Sequence, residues 1–454
     1  MSKKATTLEE IDQAVQFNEP IDSTHPFFTD FKDFRGEFEE KRIFKNLNVK
    51  KNGDHFTFDV ALNTNNKTLL FLGGMRGSGK TSELAKYAHC LNHSECFFCV
   101  TCNIDKELDI NELEYMDVLI LQLEQLTKRV EELIQKDIFI NIDKGIIERM
   151  KRWFDDIEKE VKNTLNTESG FETGVETKTD KITFGLLNIF AKFKVGVTGS
   201  HERAKTVRNT LKNNFITFSN LFNDYIAEVN IALRKHNVGR EILFIVDGLE
   251  KTMSADTRRK IIVEEQNRLQ KIQAYTIFTL PIELMKAKES LKMFSEVVPF
   301  PFVKLINQDN TKAEGAIERF REFVYKRIDK SLFENEDIVN DAIHFSGGSP
   351  RELLRILENA SFYADETIGK IQKPALEKAL DRLANEKAQF LTKPMMDKLK
   401  EIKENNLQGK ETLYDEVTQQ LLEGIYIMEY NSGTYQRVNP ILERSKSYIQ
   451  YVGN

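Results

Sequence analysis

Four short apolar runs punctuate a chain whose remaining hydrophobic residues mostly recur at helical spacing. Leu69-Leu-Phe-Leu72 runs straight into a glycine-rich turn. Glu95-Cys-Phe-Phe-Cys-Val-Thr-Cys102 comes one predicted helix later. Ile242-Leu-Phe-Ile-Val246 ends at Asp247, and Ala274-Tyr-Thr-Ile-Phe-Thr-Leu280 ends at Pro281. Short runs without polar alternation fit strands buried on both faces, and so predict a parallel sheet covered by helices. His55-Phe-Thr-Phe-Asp-Val-Ala-Leu62 alternates instead and predicts a half-buried strand.

Helical spacing fills the intervals. It covers Phe34 to Leu47, Ser82 to Ala88, and Met116 to Ile134, whose broad apolar stripe suits a core helix better than a partner-binding one. It continues through a charged segment at 143–166 that holds Trp153, and through 201–236 with Val207, Leu211, Phe215, Phe218 and Phe222 on one side. Residues 167–200 break the composition. Within them Ile182 to Val197 is apolar but too short to cross a bilayer, and reads as a hairpin or short helix packed on the core. Residues 1–30 carry no sustained period and look poorly anchored. Toward the other end, Ala316 to Ile328 is helical. Phe345-Ser-Gly-Gly-Ser-Pro-Arg351 opens another helix, with Pro350 in its first turn. Leu413 to Met428 reads as helix then strand, and Glu429 to Pro440 as a hairpin turning at Asn431-Ser-Gly433.

Composition narrows the field. A chain of 454 residues implies more than one domain, and 40% apolar with 30% charged residues suits packed, soluble units. The net charge of −6 exerts no general pull on nucleic acid or anionic lipid. No apolar run reaches membrane-spanning length, and the polar start lacks a signal core, so a cytoplasmic location is expected. Cys96, Cys99 and Cys102 have the two-residue gaps of some metal sites. Strand alternation, however, puts Cys96 and Cys102 on one face and Cys99 on the other. They and Cys90 are expected to be free, buried, hydrophobe-like thiols.

The chemistry concentrates at the glycine-rich turn. Gly74 and Gly79-Lys80-Thr81 satisfy the phosphate-loop spacing. In such a loop the backbone N–H groups of Gly74, Met75, Arg76, Gly77, Ser78 and Gly79 can curl round phosphate oxygens. The helix beginning at Lys80, Thr81 and Ser82 points its positive end at the same anion. Lys80 would reach the β- and γ-phosphates, and Thr81 would hold Mg²⁺. Asp247, at the carboxyl end of a buried strand, faces the crevice where such sheets bind ligands and is the second metal residue. Glu250 is the nearest acid able to act as a base on water. Arg351, at the head of its helix, can reach back to phosphate. Ser346-Gly-Gly falls after Asp247, which excludes an ABC arrangement. No Asn-Lys-any-Asp guanine reader exists in the chain, so ATP is the expected nucleotide.

The order of phosphate loop, Asp247, the Thr279 strand and Gly348-Ser-Pro-Arg351 resembles the AAA+/STAND group of P-loop ATPases. Within that group it resembles the prokaryotic members with an origin-recognition-like helical lid and a C-terminal winged helix. The resemblance implies an α/β fold: a parallel sheet sandwiched by helices, with a mostly helical insertion, a lid and a small winged-helix domain. The implied boundaries are an N-terminal arm over 1–33, a core over 34–300 with its insertion at about 105–236, a lid over 301–372 and a winged-helix-like unit over 373–454. It implies that Arg35 contacts the nucleotide, Thr279 senses the γ-phosphate, Pro350 lies against adenine and Arg351 is the second sensor. It also implies homo-oligomers in which an arginine of one subunit acts on the next, with Arg258 and Arg259 the first to consider. Gly248 stands where the family usually carries a glutamate. The expected function is an ATP-driven switch controlling oligomerisation or a protein partner, as in bacterial anti-phage defence. The alternative is a DNA-associated loader or transposition regulator using the winged helix, which the slight excess of acids over bases in 391–454 does not favour.

Overall fold

The structure is a computed structural model that describes residues 3–53, 55–59, 67–136, 142–165, 186–191, 193, 201–252, 254–287, 291, 296–431 and 435–453. At its centre is a five-stranded parallel sheet. Its strands are β3 (Leu69–Gly73), β4 (Phe97–Asn103), β5 (Glu241–Asp247), β6 (Tyr275–Leu280) and β7 (Glu296–Pro299), in the spatial order β4-β5-β6-β3-β7. The expected runs are there because β3, β5 and β6 are buried at every position. Alternate side chains divide between two apolar layers. Leu70, Leu72, Leu243 and Ile245 face one, and Leu69, Phe71, Phe244 and Val246 the other. The alternating segment at His55 forms β2 (His55–Phe58). It pairs antiparallel with β1 (Val49–Asn52) in a separate two-stranded sheet, and 60–62 of that expectation lie outside the described residues.

Helices cover both faces. α1 (Glu40–Asn46) precedes the sheet and α2 (Lys80–Cys90) follows β3. Between β4 and β5 run α3 (Tyr115–Gln135), α4 (Lys144–Leu165), α5 (His201–Asn213) and α6 (Phe215–Lys235), which make up the helical insertion. In the apolar stretch between α4 and α5, Leu186, Phe190 and Phe193 are buried, and Phe154 of α4 packs at 5.4 Å and 5.0 Å from the two phenylalanine rings. That part is core, as expected; residues 182–185, 192 and 194–200 lie outside the described residues. Among the described residues no helix is long and apolar enough to cross a membrane.

After β7 come α7 (Glu314–Arg327), α8 (Glu336–Phe345), α9 (Pro350–Phe362) and α10 (Lys373–Ala388). The last unit holds α11 (Lys393–Leu407), α12 (Glu416–Glu423), the hairpin β8 (Ile427–Tyr430) with β9 (Tyr435–Val438), and α13 (Lys446–Val452). The hairpin is as expected, although Ser432 and Gly433 of its turn lie outside the described residues. One apolar cluster runs unbroken from Ala5 through the sheet and lid to Tyr448, so these units share a core.

Two expectations need correcting. The N-terminal arm is anchored. Ala5 bridges Ile328, its N–H donating to Arg327 O at 2.7 Å and its carbonyl accepting from Asp329 N at 2.9 Å. Ile11, Ala14 and Val15 are buried, and Phe31 packs 4.5 Å from Phe320. Ile11 and Ala14 belong to a single helical turn, Ile11–Ala14, too short to register as a sustained period. The cysteines are free, as expected, but Cys90 is only partly buried, and β4 begins only at Phe97, so Cys96 lies before the alternation starts. It therefore shares an apolar layer with Cys99, while Cys102 lies in the other.

Candidate functional site

The phosphate loop leaves β3 and enters α2 with no room for side chains. A Cβ at Gly74 would stand 2.3 Å from the Phe300 carbonyl oxygen. Gly77 and Gly79 take φ of +84° and +97°, where only glycine is unstrained. Lys80 is buried, and its Nζ donates to the carbonyls of Gly74 at 2.8 Å and Met75 at 2.9 Å, holding the loop's curl. Burial pulls its pKa down, while Glu250 and Asp247 act against that pull.

Thr81, Asp247, Glu250 and Thr279 converge beside Lys80. Asp247 ends β5 and is buried, and its Oδ1 has no hydrogen-bond partner among the described residues. Burial, then the neighbouring Glu250, pushes its carboxyl up to about 6, and the hydroxyls of Thr81 and Thr279 act the other way. A buried carboxylate oxygen without a partner, next to a hydroxyl, is a donor set that fits a hard divalent cation such as Mg²⁺. Thr279 donates through Oγ1 to Glu250 Oε2 at 2.9 Å, linking the ends of two strand loops.

The local geometry explains Gly248. It takes φ of +96°, and a Cβ there would meet Asp105 Oδ1 at 2.4 Å. Asp105 is itself pinned by Lys251 at 2.6 Å. A glutamate at 248 is therefore sterically excluded, and the acid of this stretch is two residues on. Arg258 is also committed within the chain. It donates to Glu283 Oε1 and to the Thr252 carbonyl, both at 2.5 Å, with its side chain nearly buried. It does not project toward a neighbour, whereas Arg259 is exposed.

The lid closes the other side. Ser349 caps α9 by accepting from Glu352 N at 3.3 Å and donates to the Gly77 carbonyl at 3.1 Å, so the lid helix is tied to the phosphate loop. Pro350 and Arg351 line the same cavity, which measures about 730 Å³. Arg351 donates to Asn18 Oδ1 at 2.7 Å; burial and the like charge of Arg76 pull its pKa down, so an anion between them would be stabilised. Arg35 is buried against the loop. It donates to Pro301 O at 2.7 Å, lies 4.0 Å over the Phe300 ring and approaches Gly79 closely. Burial brings its pKa down to about 10, partly offset by Glu83.

The cavity thus joins Arg35, Arg76, Gly77, Gly79, Lys80, Thr81, Ser82, Glu250, Pro350 and Arg351. Gly74 and Met75 face the other side of the loop, against Phe300 and Glu429. Sequence reasoning missed Ser349, although a serine directly before Pro350 is a cap signature. It also missed the arm residues Phe17, Asn18 and Phe27 in the cavity wall, for which no local signal exists. Chemically, the arrangement can hold a triphosphate and a divalent cation, with Glu250 as a base nearby.

No family model matches the chain, and no curated protein matches it. Among solved structures, the Walker-type ATPase PABY2304 of Pyrococcus abyssi overlaps 93% of this chain and 100% of its own, at 12% identity and a TM-score of 0.38. The RuvB Holliday junction branch migration motor of Thermotoga maritima overlaps 93% and 98%, at 11% identity and a TM-score of 0.31. Overlaps this loose add nothing on substrate, and the fold stands on the sheet and loop described above.

Asp247 generates the first prediction. Its folded pKa lies above the unfolded value, so its charge costs stability as pH rises from about 4 through 6. Chemical denaturation in chelator at pH 7.5 is expected to find Asp247→Asn more stable than the wild type, by on the order of 2 kcal/mol. The gap should narrow as pH falls toward 4. A less stable Asp247→Asn would contradict the cost assigned to charging this buried carboxylate.

Proposed function

We propose that this chain is an ATP-binding and ATP-hydrolysing switch of the AAA+/STAND kind. The observation that carries the reading is the placement of β8. Together with Asn431 just after it, β8 packs on three segments that border the nucleotide cavity, from the side away from the cavity. Glu429 N lies 3.3 Å from Met75 Sδ in the phosphate loop. Tyr430 donates its hydroxyl to the Gly347 carbonyl at 2.7 Å, in the turn that launches the lid helix. Asn431 packs so closely on Gly36, beside Arg35, that a Cβ there would clash with it. A lid displacement driven by nucleotide would therefore pull on the C-terminal unit, which we read as a winged helix turned inward.

In this reading the phosphate loop, Lys80 and Arg351 bind the triphosphate, and Arg35 backs the loop. Asp247 and Thr81 would hold Mg²⁺, which neutralises charge on the β- and γ-phosphates when bound. Glu250 accepts the proton of the attacking water. Thr279, donating to Glu250, holds that carboxylate in place and restrains it until phosphate competes for the hydroxyl. Hydrolysis is accordingly slow, and the bound nucleotide sets the state. Arg259 is exposed and placed to serve a neighbouring copy in a homo-oligomer, and the helical insertion offers the face for a protein partner. Free thiols, ATP and Mg²⁺ together suit the cytoplasm. Anti-phage defence is the setting we favour, because a nucleotide-held switch suits a response that must stay silent until triggered. The DNA-associated alternative is less well supported, because β8 is buried throughout.

Two variants assayed together test this. Glu250→Gln should lower ATP turnover about 100-fold while nucleotide affinity stays within about twofold. Tyr430→Phe, which removes the hairpin's hold on the lid turn, should raise turnover several-fold and change the ATP dependence of oligomer size. Unchanged turnover in both would sink the switch reading. Stimulation of the wild type by duplex DNA, weakening steeply with salt, would replace it with the DNA-associated one.

A further inference from the structure

The same cavity is also lined by residues that phosphate chemistry does not use. There Phe27 and Phe31 of the N-terminal arm meet Phe323 and Arg327 of α7. Arg327 is 4% exposed. Its guanidinium stacks 3.8 Å from the Phe323 ring centroid and 5.2 Å from that of Phe27. Its one hydrogen bond among the described residues is from Nη1 to the Phe323 carbonyl at 3.0 Å. No described carboxylate pairs with it, and burial lowers its pKa with no charge to offset the pull.

Two other arginines show how an ion pair fixes a buried or nearly buried guanidinium. Arg208 is held by Asp117 at 3.1 Å and Arg258 by Glu283 at 2.5 Å. Arg35 has a backbone carbonyl and a ring, like Arg327, but with Glu83 and Asp30 to offset its burial. A guanidinium remains charged at neutral pH, so burying it without a counter-charge is costly. The cost is reasonable where a ligand completes the shell. Arginine offers donors only, so the ligand atoms it meets must be acceptors. The aromatic walls call for a flat, polarisable partner. A second phosphate would not use those rings, and a nucleobase uses both features.

We propose that Arg327 is the base-reading residue of this cavity, donating to ring acceptors of a purine held among Phe27, Phe31 and Phe323. The inference rests on the nucleotide reading above and extends it from the triphosphate to the base. Adenine and guanine both carry the N7 acceptor, and guanine adds O6 beside it. Arg327 therefore accepts either purine and does not reject GTP.

Titration calorimetry with ATP, GTP and inorganic tripolyphosphate tests it. In the wild type both nucleotides should bind more tightly than tripolyphosphate. Arg327→Met should weaken ATP and GTP by about tenfold or more, the loss expected for a charge-assisted hydrogen bond, and leave tripolyphosphate within about twofold. Arg327→Lys keeps the charge but loses the planar fork, and should weaken ATP by at least about threefold. It decides the matter if the methionine variant does not fold. Retained ATP affinity in the variants overturns the proposal, as does an equal loss for tripolyphosphate. A wild type that binds tripolyphosphate as tightly as ATP overturns it while leaving the phosphate site standing. A wild type that binds none of the three removes the nucleotide reading itself.

Discussion

The hydrogen bond from Ser349 Oγ to the Gly77 carbonyl joins the two halves of the cavity. One partner is the cap of the lid helix, the other a left-handed glycine of the phosphate loop. A Cβ at Gly77 would meet Ser349 Oγ at 3.2 Å, and the φ of +84° there favours glycine in any case. Behind the lid turn, Gly348 packs so closely on the Val303 carbonyl that no other residue fits. The lid is therefore seated by a few close contacts. The hairpin at β8 rests on both sides of that seat, through Met75 and Gly347.

The same crowding governs the chemistry. Asp105 occupies the space that a side chain at 248 would need, and Lys251 holds it there. The acid is displaced to Glu250, where Thr279 can reach it. Two hydroxyls and two carboxylates then share one pocket of low dielectric, which is why Asp247 holds its proton to about 6. A site built this way is electrostatically strained until a cation and an anion enter together.

Much of this was legible in the residues, for physical reasons. Strands β3 and β5 are buried on both faces, so their sequences could only be continuous apolar runs, and an acid at the end of one stood out. The glycines and Lys80 declare a backbone conformation, and conformation is local. What could not be read depends on contacts between distant residues. Phe27 and Asn18 carry no period, yet they wall the cavity because the arm is pinned to α7 at Ala5. Strand β7 is four residues at a sheet edge, too short to register as a run. Cys96 was assigned to the wrong layer because its strand starts one residue later than the apolar pattern does. The inward face of β8 is set by Met75, hundreds of residues away in the chain.

The central claim is that the phosphate loop, the lid turn and the C-terminal hairpin respond as one. Amide hydrogen exchange, compared between the free protein and the protein with a slowly hydrolysed ATP analogue and Mg²⁺, addresses it directly. The account predicts that protection changes together at the phosphate loop, at the lid turn around Gly347 and along Ile427–Tyr430. Protection gained at the phosphate loop alone, with the lid turn and β8 exchanging as before, would contradict it.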